Sequence, residues 1–212
     1  PKPSSAASDV YKRQLQARVS SDALLPIGVL SKAEKDAIGD YADAYEVITD
    51  FQKAMAEAAA PLREVLAVET IRSVGEIVER KAGFEAARKT LADSAGKLQD
   101  ARAKADRARA AMTLPPDLAP VYGGAYDEAV TAPAADLMQA ATRMDSVARD
   151  AVGVADFVAA HGADIQLVDG QARVATLSLQ QELNLRLQGL NAQSDGLAQA
   201  RETVLLAVAL GA

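Results

Sequence analysis

Cysteine and tryptophan are missing from this chain, and histidine occurs once. The lack of cysteine removes disulfides, thiolate metal sites and cysteine nucleophiles together. It does not fix the compartment. Glycine and proline are sparse, 13 and 8 among 212 residues, so there is little material for loops. Aromatic residues make up 4 % of the chain, so the interior has to be assembled from many small contacts. No apolar run reaches the ~18 residues that a complete membrane-spanning helix needs. Val204 to Ala212 (VLLAVALGA) is the longest apolar stretch near the end; it reads as the buried end of a helix, or as the start of a span if the protein continues. Positive charge is not in excess: the net charge is −6 and the pI about 4.9. A nucleic-acid partner is therefore not expected, because such binding rests on a cationic footprint.

What the chain does have is alanine, the best helix former, and large apolar residues at steps of three and four. Ser31-Lys32-Ala33-Glu34 has the form of a capping box and opens the first helix. Its stripe runs through Ile38, Tyr41, Tyr45, Ile48, Phe51, Met55, Ala58, Leu62 and Val65. Pro61 either kinks this helix or starts a new one; the stripe keeps its phase across it, which favours a kink. A second stripe runs from Ile71, Val74 and Val78 through Phe84, Ala87, Leu91 and Leu98 to Ala105 and Met112, fading from large residues to alanine. The turn before it is placed near Thr70 to Gly75, since one unbroken rod over residues 31–112 would be roughly 120 Å long.

The three prolines of Thr113 to Pro120 (TLPPDLAP) mark the clearest break. A third helix passes through Tyr122, Tyr126, Val130, Leu137, Met144, Ala151 and Val158. Pro133 bends its first turns or marks its start with Thr131 as cap, and Gly162 ends it. Asp169-Gly170 is a two-residue hairpin signal. Closing there pairs Leu167 with Ala172 and Ile165 with Val174 on one face, with Gln166 and Arg173 on the other. Ser178-Leu179-Gln180-Gln181 reads as a second capping box, opening one last helix through Leu183, Leu187, Leu190, Leu197, Val204 and Val208. The expectation is an all-α fold: an elongated antiparallel bundle of about four long helices, with a small β-hairpin at about 164–175 before the last helix.

Residues Asp9 to Gln14 (DVYKRQ) resemble the translation of a transposase sequencing adapter. Residues 1–14 are accordingly set aside as a non-native or disordered tail, and 15–212 are read as a single helical-bundle domain. On this reading the natural N-terminus and any signal peptide precede the sequence.

The search for chemistry finds none: no catalytic residue, no cofactor-binding residue and no metal ligand is assigned. His161 lacks the glutamate three residues earlier that di-metal bundles use, because Val158 stands there. Beside Gly162, it reads as a helix-terminal residue. Tyr122-Gly123-Gly124-Ala125-Tyr126 lacks the spacing of a phosphate-binding loop, and is read as a first helical turn with its tyrosines packed inward. Lys97, Arg102, Lys104, Arg107 and Arg109, interleaved with Asp100 and Asp106, read as a solvated helix face, with anionic lipid or an acidic partner as the alternative. The pairs Asp40 with Asp43 and Asp127 with Glu128 are ordinary on alanine-rich helices, and neither is singled out as an acid–base pair.

Three segments together carry a family resemblance: Leu25 to Met55, Leu114 to Leu137 and Phe157 to Asn191, above all Gly39 to Phe51 (GDYADAYEVITDF) and Val130 to Ala134 (VTAPA). They resemble uncharacterised bacterial lipoproteins of a domain-of-unknown-function family, found mainly in proteobacteria. The resemblance implies an N-terminal lipid-anchoring cysteine and a place on the periplasmic side of a membrane; it implies no enzymatic role and no catalytic residues. The expected function is a non-enzymatic cell-envelope protein, without cofactor, whose periplasmic bundle binds an envelope protein. The alternative is the ligand-sensing four-helix bundle of a membrane receptor.

Overall fold

The computed structural model describes residues 9, 13, 31–38, 41–66 and 71–210. Among the described residues the fold is all-α apart from one small hairpin. In chain order the helices are α1 (Lys32–Ile38), α2 (Ala42–Ala59), α3 (Leu62–Leu66), α4 (Val74–Glu79), α5 (Lys81–Ala111), α6 (Ala119–Tyr126), α7 (Ala132–Ala160), α8 (Leu177–Asn191) and α9 (Ser194–Ala209). A five-residue π-turn, Asp127–Thr131, joins α6 to α7 without a break in the helix. Strands β1 (Ile165–Val168) and β2 (Gln171–Val174) form the hairpin. Among the described residues no helix is long and apolar enough to cross a membrane.

Two compact units divide the chain. Residues 1–60, 95–138 and 204–212 form the first; residues 61–94 and 139–203 form the second. In the first unit the predicted α2 stripe is the core: Tyr41, Tyr45, Ile48, Phe51 and Met55 are all 4 % exposed or less. Leu98, Tyr122, Tyr126, Val130, Leu137 and Val204 are buried with them in that unit, and α2 packs against the π-turn. The apolar C-terminal stretch is a buried helix end in its described part: Val204, Ala207 and Leu210 are buried while Leu205 faces out.

In the second unit Val74, Ile77, Phe84, Ala151, Val154 and Val158 form one cluster with Ile165 of the hairpin and Leu183 of α8. The hairpin has the register read from the sequence, with Ile165 opposite Val174 and Leu167 opposite Ala172. Asp169 (φ 54°) and Gly170 (φ 77°) take the two left-handed positions that this tight turn requires. The turn then does a second job. The Gly170 carbonyl accepts the Gly75 backbone N–H at 2.9 Å, satisfying a donor that the first turn of α4 leaves open. The backbones approach so closely there that a Cβ on Gly75 would lie 2.8 Å from the Gly170 Cα. Ser73 caps the same helix, accepting from the Glu76 N–H at 3.2 Å, while the Glu76 carboxylate accepts from the Arg72 N–H at 2.8 Å. Ser73-Val74-Gly75-Glu76 is thus a capping sequence that apolar periodicity did not pick out.

Five local readings are corrected or sharpened. At Pro61 the first helix is cut rather than kinked: α2 stops at Ala59 and α3 begins at Leu62, because the proline has no N–H for the ladder. The second stripe is likewise divided at Arg80, between α4 and α5. Thr131 is not a cap, since the π-turn carries the helix through Pro133. The last helix is two, α8 and α9, parted at Ala192 and Gln193, where Asn191 and the Ser194-Asp195-Gly196 run favour a turn over helix. The cap of α8 is Thr176, not Ser178; with β2 ending at Val174, Thr176 is the extended hydroxyl residue that first reaches an open N–H, that of Leu179 at 3.4 Å. The expected turn near Thr70 to Gly75 falls in the gap between α3 and α4, of which 67–70 lie outside the described residues. The Glu34 half of the first capping box also lies outside the described side chains; the Lys35 N–H donates to the Ser31 carbonyl at 3.0 Å.

Two glycine substitutions should move stability in opposite directions. Gly75→Ala forces α4 and the hairpin turn apart and is expected to cost about 1–3 kcal/mol in urea unfolding. Gly153→Ala, inside α7 with no atom within 4 Å of the added Cβ, is expected to stabilise by about 0.5–1 kcal/mol through helix propensity alone.

Candidate functional site

The densest polar arrangement of the first unit is built where α5 meets the end of α6 and the π-turn. On α5, Arg102, Asp106 and Arg109 recur at steps of four and three and so share one face. Tyr122 and Tyr126, four apart on α6, are 2 % and 0 % exposed, with ring centroids 6.1 Å apart. A buried phenol has to find a partner for its hydroxyl. Tyr126 donates to Asp106 Oδ1 at 2.7 Å. Arg102 Nε donates to the same carboxylate at 2.9 and 3.1 Å, and its terminal nitrogens reach the Thr131 carbonyl at 3.4 Å and hydroxyl at 3.3 Å. Thr131 donates in turn to Asp127 Oδ1 at 3.1 Å. Arg109 closes the circuit: it donates to Asp127 Oδ1 at 3.4 Å and stacks over the Tyr126 ring, 4.4 Å from its centroid. The Tyr122 hydroxyl is buried without a hydrogen-bond partner among the described residues.

Burial pushes the Asp106 carboxyl up. The hydrogen bonds from Tyr126 and Arg102, with the charges of Arg102 and Arg109, outweigh it and hold the group below the ordinary carboxylate range. Burial pushes the Tyr122 phenol up to about 12, and burial together with Asp106 pushes Tyr126 up as well. Neither tyrosine is prepared as a base near neutral pH, and Asp106 is held as an anion by its donors. Beside this network, between α5 and α7, lies an open cleft of about 290 Å³, lined by Leu98, Gln99, Arg102, Ala103, Asp106, Ala134, Ala135 and Met138.

The other residues singled out from the sequence are placed separately. His161, in the second unit, directs Nδ1 to the Phe157 carbonyl at 2.9 Å and its ring against Phe157 at 4.4 Å; Arg186 lies over the same Phe157 ring at 4.7 Å. Among the described residues no group of three His, Cys, Asp or Glu could hold a metal. The basic run of α5 divides: Lys97, Lys104 and Arg107 are exposed, as a solvated face should be, while Arg102 and Arg109 belong to the tyrosine network. Asp43 and Glu128 are exposed, Asp127 is engaged by Thr131 and Arg109, and Asp40 lies outside the described residues. The sequence signal for this network was the common face of Arg102, Asp106 and Arg109 against two tyrosines four apart.

The two tyrosines give contrasting predictions. Tyr126→Phe removes one donor to Asp106, which keeps Arg102 and water, and is expected to lower stability by about 0.5–1.5 kcal/mol, the net worth of one hydrogen bond. Tyr122→Phe removes a hydroxyl that is buried without a partner, and is expected to be neutral or stabilising by up to about 1 kcal/mol in the same urea titration. Asp106 also sets a pH dependence. Its folded-state value lies below the ordinary 3.8, so its contribution is complete above that value and is lost as pH falls through the folded value. Asp106→Asn should flatten the acid limb of the stability curve.

The sequence was compared with known proteins. The pattern of the family described as "Protein of unknown function (DUF3053)" matches residues 11–205. "Uncharacterized protein YiaF" from Escherichia coli strain K12 is 28 % identical over 170 residues, covering 80 % of this chain and 71 % of that protein. The proteins of the same name from Escherichia coli O157:H7 and Shigella flexneri match with the same figures. No solved structure matches the chain. With the family pattern running through nearly all of its length, the chain belongs to the DUF3053 family of proteins of unknown function.

Proposed function

We propose that this chain is the helical part of a bacterial cell-envelope protein, held at the periplasmic side of a membrane by a lipid anchor outside this sequence, and that it works by binding a protein partner without carrying out a reaction. The observation that carries the reading is that the charged groups of its polar centre are engaged with one another. Tyr126 donates to Asp106, Arg102 donates to Asp106 and Thr131, and Arg109 donates to Asp127. The shifts at Asp106, Tyr122 and Tyr126 lead away from pH 7, which suits structure and opposes proton transfer there. Beside that centre the open cleft combines alanine, leucine and methionine side chains with Gln99, Arg102 and Asp106, a mixed lining that suits a contact surface. Membership of a family with relatives in enterobacteria supports a bacterial setting. The envelope location rests on the resemblance to lipoproteins.

Photo-crosslinking in cells tests the reading. A photoreactive residue at Ala135, in the cleft, is expected to give a discrete protein adduct in the envelope fraction, and one at exposed Gln188 of α8 is not. Identical adducts at both positions would remove the cleft from the proposal. Recovery of the natural, full-length product from the cytosol without lipid would remove the location.

A further inference from the structure

A π-turn inside a helix is unfavourable on its own, because its hydrogen bonds are poorly aligned and it accommodates one residue more than the α-helical count. At Asp127–Thr131 the widening is visible in the Ala132 N–H, which donates five residues back to the Asp127 carbonyl. Two influences favour it. Pro133 has no N–H, and its ring crowds the carbonyl four residues earlier, that of Ala129, so a regular α-turn is penalised there. The second influence comes from another helix: Arg102 of α5 holds both the carbonyl and the hydroxyl of Thr131, at the far end of the π-turn. Arg102 also forms part of the cleft wall. One side chain therefore joins an open surface to the element that sets how α6 is rotated.

The geometry points to a register switch. The stretch from Tyr122 to Thr131 has a second, fully α-helical register, and Arg102 is the side chain that holds it in the π register. Closing the π-turn shifts everything on its N-terminal side by one helical position, about 100° and 1.5 Å. That shift takes the Tyr126 hydroxyl off Asp106 while the body of α7 stays in place. A carboxylate or carbonyl entering the cleft competes with Thr131 for the Arg102 guanidinium, a strong donor to either, and so favours the shifted register. The switch is a property of this chain and holds whether or not the partner-binding reading is correct.

Hydrogen–deuterium exchange on the full chain tests it. In the unmodified protein, amides of 126–134 are expected to exchange as one group, ahead of amides 145–158. Arg102→Lys keeps a positive charge beside Asp106 but loses the two-pronged contact with Thr131. It is expected to speed exchange of 126–134 by roughly tenfold, the worth of one such contact, with 145–158 unchanged. Arg102→Ala should do the same more strongly; if it fails to fold, Arg102→Lys still decides. Pro133→Ala, which restores the missing N–H, should populate the shifted register in an otherwise intact chain, and one tyrosine should then ionise nearer the ordinary phenol value. Uniform acceleration of every amide in Arg102→Lys, or no acceleration at 126–134, would overturn the switch. So would an unchanged tyrosine titration in Pro133→Ala.

Discussion

Two tyrosines buried one helical turn apart place a constraint on everything around them. A phenol ring fills space that alanine cannot, but it brings a hydroxyl into an interior that has few polar groups to receive it. For Tyr126 the answer is a carboxylate at the edge of the core, half exposed to water and bridged by a cation. Arg102 is that cation, and Arg109 covers the open face of the ring. The charged residues in this part of α5 thus follow from the choice of tyrosine on α6. Elsewhere in the first unit the core includes the aliphatic and phenylalanine side chains of the α2 stripe, Ile48, Phe51 and Met55, which bring no hydroxyl into the interior.

The elements that were legible in the sequence are those fixed by local physics. The stripe from Tyr41 to Met55 could only be one face of a helix, and Asp-Gly between two short apolar alternations could only close a hairpin in one register. What was not legible depended on competition. Ser178 and Thr176 are both plausible caps, and the short link from β2 decides between them. Thr131 before Pro133 looks like a helix start until Arg102 is seen to hold it from another helix. The break at Gln193 leaves the leucine spacing nearly in phase, so periodicity passes over it. The polar network was least legible of all, because Arg102, Asp106 and Arg109 lie in a run of alternating charge that looks like any solvated helix surface.

Helix defects in this chain are resolved in different ways, and the difference has a physical cause. At Pro61 the helix simply stops, at Ala59, and restarts at Leu62. At Pro133 it continues, because a π-turn absorbs the misfit and side chains of α5 and the packing of α2 hold that turn in place. A proline is thus a breaker where nothing compensates for its lost hydrogen bond, and a local widening where neighbouring elements do.

The touching backbones of Gly75 and Gly170 bear on the order in which the second unit forms. The hairpin is local and can close in microseconds, but its turn docks on a helix nearly half the chain away in sequence, and that contact has to wait for a long loop to close. Until then α4 keeps an unsatisfied amide and the hairpin keeps an exposed apolar face. The contact therefore joins two parts of the chain made far apart in time during synthesis, and it cannot form before the hairpin has left the ribosome.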